Sequence, residues 1–107
     1  SVTTVTAHAL HLPRYDPVRI YGTVLSPEAT VGACGSLVPM PRKERASLPF
    51  MHDGRVDVIG AGALIWSMVV SRVGAEVARS GSRLREVVTS EHDILDGIAL
   101  ALAARPD

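Results

Sequence analysis

A chain of 107 residues can hold at most one small domain. Its 47% hydrophobic content is enough for a core and argues against disorder. Eleven Lys and Arg balance eleven Asp and Glu, so no global field draws in nucleic acid or an anionic membrane, and the single cysteine, Cys34, excludes an intrachain disulfide or a multi-cysteine zinc site.

The opening "SVTTVTAHAL" has no basic leader and does not read as a signal peptide. It begins with Ser1 rather than Met, which suggests a processed or cut start. Residues 2–12 are expected to form a helix, with Val2, Val5 and Leu12 on one face. The prolines of "LPRYDP" break that pattern, and Ile20 to Leu25 reads as a short extended segment. Ser26-Pro27-Glu28 is a strong helix start, with a capping hydroxyl, a proline at the first helical position and an acid at the positive dipole end. Val31, Cys34 and Leu37 continue at helical spacing until Pro39 and Pro41. On such a stripe Cys34 is a small core residue, and a buried thiol fits a reducing, cytoplasmic setting.

"PRKERASLP" reads as a second short helix, proline first. The main helix is expected from Arg55 to about Val73, with Gly74 ending it. Val56, Ile59, Ala63, Trp66, Val70 and Val73 form one stripe. Val58, Ile65, Met68 and Val69 make much of the remainder apolar, which predicts a helix nearly surrounded by protein. The apolar run Val58 to Val70 is too short to span a bilayer. Gly60-Ala61-Gly62-Ala63 follows no strand and lacks the Lys-Ser/Thr sequel of a phosphate loop, so it reads as a place of close approach inside a helix. "LREVVTS" is the best strand, and residues 91–104 form a last helix that buries Ile94, Leu95, Ile98 and Leu102.

"TSEHDILDG", Thr89 to Gly97, gathers hydrolase residue types. At a helix start such neighbours diverge, so they do not make a triad. The expected reading is a capping box, with Ser90 as the cap, Asp93 reaching back and His92 facing solvent. His8 and His11 could share a face, yet no third metal ligand is placed beside them. No residue is singled out as catalytic or as a metal ligand. Arg42, Lys43, Arg45 and Arg55 are candidates for polyanion contact, although a charge run on a short helix is usually a solvated face.

Three ordered segments carry a family resemblance. "SVTTVTAHALHLPRYDP" is similar to the Gly-Thr-Ala-Thr-Thr-Leu-type segment of the Ppx/GppA phosphatases. "MPRKERASLPFMHDGRVDVIGAGALI" resembles that family's Leu-Pro, Arg-Ala-Asp-Val-Ile and Gly-Ala-Leu signature. "VVTSEHDILDGIALALA" resembles its closing strand and helix. There Glu91-His92-Asp93 replaces Asp-x-Gly and Leu95 stands where Arg is common, which resembles an actinobacterial exopolyphosphatase branch.

The resemblance implies an α/β class: the C-terminal part of an actin-like (ribonuclease-H-like, ASKHA) domain, mostly helical here with one clear strand. Residues 1–107 would be one incomplete domain, the second of two that enclose a cleft. The implied activity is Mg²⁺-dependent removal of terminal phosphate from inorganic polyphosphate or guanosine pentaphosphate. Homodimer formation is allowed, and no nucleic-acid or membrane partner is expected. The glycine-rich phosphate loops and the water-orienting glutamate would precede Ser1, so this chain alone would be inactive. Ser1, Thr3 and Thr4 fall beside a family phosphate site, at a helix start suited to an anion. The alternative is a non-catalytic helical interaction module that binds through exposed apolar faces.

Overall fold

The computed structural model describes residues 1–106. Helix α1 runs Val2–Ala9 and the one-turn α2 Pro17–Ile20, followed by β1, Val24–Leu25, and α3, Pro27–Leu37. Helix α4 is Arg42–Ala46, α5 Ile59–Arg79, β2 Val87–Val88 and α6 Ile94–Ala103. A 3-10 turn at Asp53–Arg55 precedes α5. The molecule is thus mostly helical with one small sheet.

Local chemistry explains most of the boundaries. Ser26 accepts the Ala29 amide at 3.0 Å and Pro27 opens α3, as its sequence requires. Helix α2 lies where a proline-broken loop was expected. Asp16 caps it by accepting from the Val18 and Arg19 amides, and Pro17 starts it. Helix α1 is shorter than residues 2–12, because His11 takes a left-handed backbone, φ +51°, and ends the run.

The core sits where α1, α3 and α5 meet. Val5, Cys34, Leu37, Ile59 and Ala63 are buried together. A second cluster joins Ala7, Leu12, Ile20 and Phe50 under the loops. The strands pair antiparallel, Val24 opposite Val88 and Leu25 opposite Val87. The ladder is extended by Gly22 N–H to the Thr89 carbonyl and Thr89 N–H to the Thr23 carbonyl. Gly22 has φ +77°, a conformation glycine adopts without a Cβ clash.

Three expectations are corrected. Gly74 does not end the main helix, which continues to Arg79 and stops before Gly81 at φ +84°. A single helical glycine costs only about 1 kcal/mol, which the following Ala-Glu-Val-Ala-Arg turn outweighs. At 21 residues α5 is long and apolar enough to cross a bilayer by length and composition, where the shorter run was not. Nor is α5 surrounded. Val56, just before the helix, which starts at Ile59 rather than Arg55, is buried with Ile59, Ala63 and Val70 of its stripe, whereas Val73 of that stripe and Ile65, Met68 and Val69 are exposed. The last helix is likewise bare, with Ile94, Leu95, Ile98 and Leu102 exposed. The radius of gyration is 15.7 Å, against about 13 Å for a compact chain of this length, consistent with helices that project from the core.

Candidate functional site

Three segments of the chain converge on one polar cleft of about 230 Å³. Its walls are Thr3 and Thr4 from the first turn of α1, Tyr15 from the loop after it, and Phe50, His52 and Arg55 from the approach to α5. Phe50 is buried and forms an apolar base, while His52 and Arg55 reach solvent. Arg55 is carried by the 3-10 turn and lines the cleft opposite the first turn of α1.

Tyr15 joins the cleft to a further residue. Its hydroxyl donates to Glu91 Oε1 at 3.0 Å. Burial raises the phenol above its usual range. The Thr3 hydroxyl and the Arg55 charge oppose that rise, while the Glu91 carboxylate adds to it. A guanidinium, hydroxyls and the positive end of a helix are the groups that bind an oxyanion.

Of the residues singled out in the sequence, Thr3, Thr4 and Arg55 are brought together here. Ser1 is not among the cleft walls. It is the N-cap position of α1 but makes no capping hydrogen bond. Its side chain instead lies against Gly62 of α5, where a Cβ would stand 2.6 Å from Ser1 Cβ. The other three cations lie elsewhere. Arg42 is paired with Asp57 at 2.6 Å on the surface, which holds the Asp57 carboxyl below its usual range. Lys43 is exposed on α4. Arg45 turns inward and donates from Nη2 to the Val38 carbonyl at 2.9 Å.

The Thr89–Gly97 stretch is a cap, but its frame is shifted by one turn. Asp93, not Ser90, is the N-cap, accepting from Leu95 and Asp96 amides at 2.8 and 3.3 Å. Asp96 reaches back to the Asp93 amide at 2.8 Å and completes the box. Ser90 accepts only from the His92 amide. His92 faces solvent, 3.6 Å from Asp96 and edge-on to the Tyr21 ring. Glu91 is thereby freed from the helix start and meets Tyr15. Tyr15 and His52 did not stand out in the sequence, and Glu91 was read only as part of a helix start, since no local spacing links the three.

Over 103 residues, 96% of its length, the chain is 41% identical to Exopolyphosphatase 2 of Mycobacterium tuberculosis, in strains CDC 1551 / Oshkosh and ATCC 25618 / H37Rv. The chain is homologous to a segment of an exopolyphosphatase. It spans about 31% of the length of those curated relatives. A crystal structure of an exopolyphosphatase-like protein superposes with a TM-score of 0.88 at 41% identity, covering 94% of this chain and 32% of that one. No protein-family model matches the chain.

Within this exopolyphosphatase-like segment no group of three or more His, Cys, Asp or Glu that could hold a metal occurs among the described residues. His8 and His11 stand with ring centroids 6.1 Å apart beside a second cleft. His8 is half-buried and shares a solvent-exposed 3.0 Å hydrogen bond with Ser36.

Proposed function

We propose that this chain is the C-terminal portion of the second, actin-like domain of a Ppx/GppA-type phosphatase. The parent enzyme hydrolyses terminal phosphoanhydride bonds of inorganic polyphosphate or guanosine pentaphosphate. Its catalytic residues lie outside this chain, in the two-thirds of the relatives' length that it does not span. The observation that carries the reading is the 41% identity to Exopolyphosphatase 2 along 96% of this chain.

The contribution of this segment is positional. The Thr3, Thr4 and Arg55 cleft offers hydroxyl donors and a guanidinium to a phosphate oxygen. Transfer of a phosphoryl group to water depends chiefly on such positioning and charge neutralisation. The parent is expected to use Mg²⁺. Among the described residues no three His, Cys, Asp or Glu side chains come together to cage a metal ion, so no step is assigned to the ion here. A cytoplasmic setting and a homodimer belong to the same proposal.

Exposed apolar faces on α5 and α6 favour one other reading, a non-catalytic interaction module. Phosphate release from polyphosphate by the full-length polypeptide decides between them. Mg²⁺-dependent release by the full-length protein and none by residues 1–107 alone supports the phosphatase. Absence of release from both polyphosphate and guanosine pentaphosphate by the full-length protein overturns it.

A further inference from the structure

Thr3 and Thr4 stand on α1 and Tyr15 on the loop after it, so the separation of these two walls of the cleft is set by what packs behind them. One short stretch reaches both. Thr89 and Glu91 lie two apart, the spacing that puts side chains on one face of an extended chain, and Ser90 between them is exposed. The buried Thr89 hydroxyl lies 2.7 Å from that of Thr6. Thr6 in turn donates to the Val2 carbonyl at 2.9 Å, in the peptide group that leads into Thr3. Glu91 Oε1 accepts the Tyr15 hydroxyl at 3.0 Å. The stretch is itself anchored, because the Gly22 amide donates to the Thr89 carbonyl at 2.8 Å and the Thr89 amide to the Thr23 carbonyl at 3.0 Å.

We propose that the end of β2 braces the cleft, with Thr89 holding the Thr3–Thr4 wall through Thr6 and Glu91 acting as a positioning residue for the Tyr15 wall. The inference rests on the phosphate-binding reading of the cleft. A carboxylate one hydrogen bond away from an anion site weakens that site electrostatically, so its role there is geometric. It fixes the phenol before an anion arrives, and binding then has less to order. Without the acceptor, only a fraction of the molecules hold the wall in its binding arrangement, and the apparent affinity falls by that fraction. For one partly buried hydrogen bond the factor is about five.

The test is calorimetric binding of inorganic tripolyphosphate to the full-length polypeptide, with phosphate release measured in parallel. Glu91→Ala removes both the charge and the acceptor. It is expected to weaken binding about fivefold and to raise KM with little change in kcat. Glu91→Gln removes the charge but keeps an amide oxygen for the phenol, and is expected to bind at least as tightly as wild type. A purely electrostatic role for Glu91 predicts tighter binding in both variants. Tyr15→Phe breaks the same bond from the other side, so Tyr15→Phe/Glu91→Ala is expected to bind no more weakly than Glu91→Ala alone. Adding Thr89→Val to Glu91→Ala releases the other wall and is expected to weaken binding further. Equal affinities of the Glu91→Ala and Glu91→Gln proteins overturn the brace alone, as does a Tyr15→Phe effect that multiplies with that of Glu91→Ala. A wild-type protein that does not bind tripolyphosphate defeats the phosphate reading of the cleft and the brace with it.

Discussion

The hydroxyls of Thr6 and Thr89 meet at 2.7 Å inside the protein, 83 residues apart in sequence. Thr6 spends its own proton on the Val2 carbonyl at 2.9 Å, so Thr89 is the donor between the two. The pair ties α1 to the end of β2, where Thr89 also makes both backbone bonds that flank the ladder. The two threonines are not equivalent. Thr6→Val strands a buried Thr89 donor and is expected to cost about 1–3 kcal/mol. Thr89→Val leaves Thr6 its bond to Val2 and is expected to cost about 1 kcal/mol. Urea denaturation of the two variants checks the order, and equal losses would show that Thr89 finds another acceptor.

The shifted cap of α6 gives a second contrast. Asp93 accepts two amides of the first turn, whereas Ser90 accepts one amide outside the helix. Asp93→Ala is therefore expected to weaken α6 by about 1 kcal/mol, the usual worth of an N-cap. Ser90→Ala is expected to leave the helix intact. Hydrogen exchange at the Leu95 and Asp96 amides reads both outcomes directly, with loss of protection in the first variant alone.

The sequence made local rules legible and contacts between distant segments illegible. Ser26-Pro27 announced α3, and the Val31–Cys34–Leu37 spacing placed Cys34 and Leu37 in the core. The stripe expected over Arg55 to Val73 was right at Val56, just before α5, and at Ile59, Ala63 and Val70, and wrong at the exposed Val73, because a period names residues that share a face but not how far the covering extends. It does not name what covers the opposite face, which is why Ile65, Met68 and Val69 were misjudged. The expected frame, Ser90 capping with Asp93 reaching back, missed that Asp93 and Asp96 stand at the same spacing, and the backbone takes that second frame. Thr3 and Arg55 were each named on local grounds. Their meeting with Tyr15 and Glu91 depends on how α1, the loop after it and the end of β2 pack, which no spacing encodes.

The pH dependence of stability has a source in His8. Burial, and then the nearby His11, lower its pKa from the ordinary value of 6.5. The unfolded chain therefore takes up this proton more readily than the folded one. The contribution is fully present above 6.5 and is lost as pH falls from there through the lower folded value. His8→Gln retains a partner for Ser36 and removes the titration. Between pH 7.5 and pH 5.5, conditions chosen to bracket about 6.5, the wild-type melting temperature should fall by more than that of the variant. Parallel losses in the two proteins would assign the acid sensitivity to other groups.

Arg45 and Gly60 form the joint between α4 and the first turn of α5. A Cβ at Gly60 would stand 2.7 Å from Arg45 Nη2 and 3.0 Å from Cζ, inside contact distance. The guanidinium is also anchored to the Val38 carbonyl, and its buried Nε has no partner among the described residues. Helix propensity alone would make Gly60→Ala stabilising by about 1 kcal/mol. Here the added methyl displaces Arg45, breaks its bond to Val38 and leaves that carbonyl without its donor, a loss of about 1–3 kcal/mol. The expected net effect is destabilisation. In an Arg45→Met background the obstruction is gone, and Gly60→Ala is expected to stabilise. A denaturant cycle over the four proteins measures this reversal of sign, and a Gly60→Ala effect that is the same in both backgrounds would show that Arg45 yields freely and that the glycine serves only the helix.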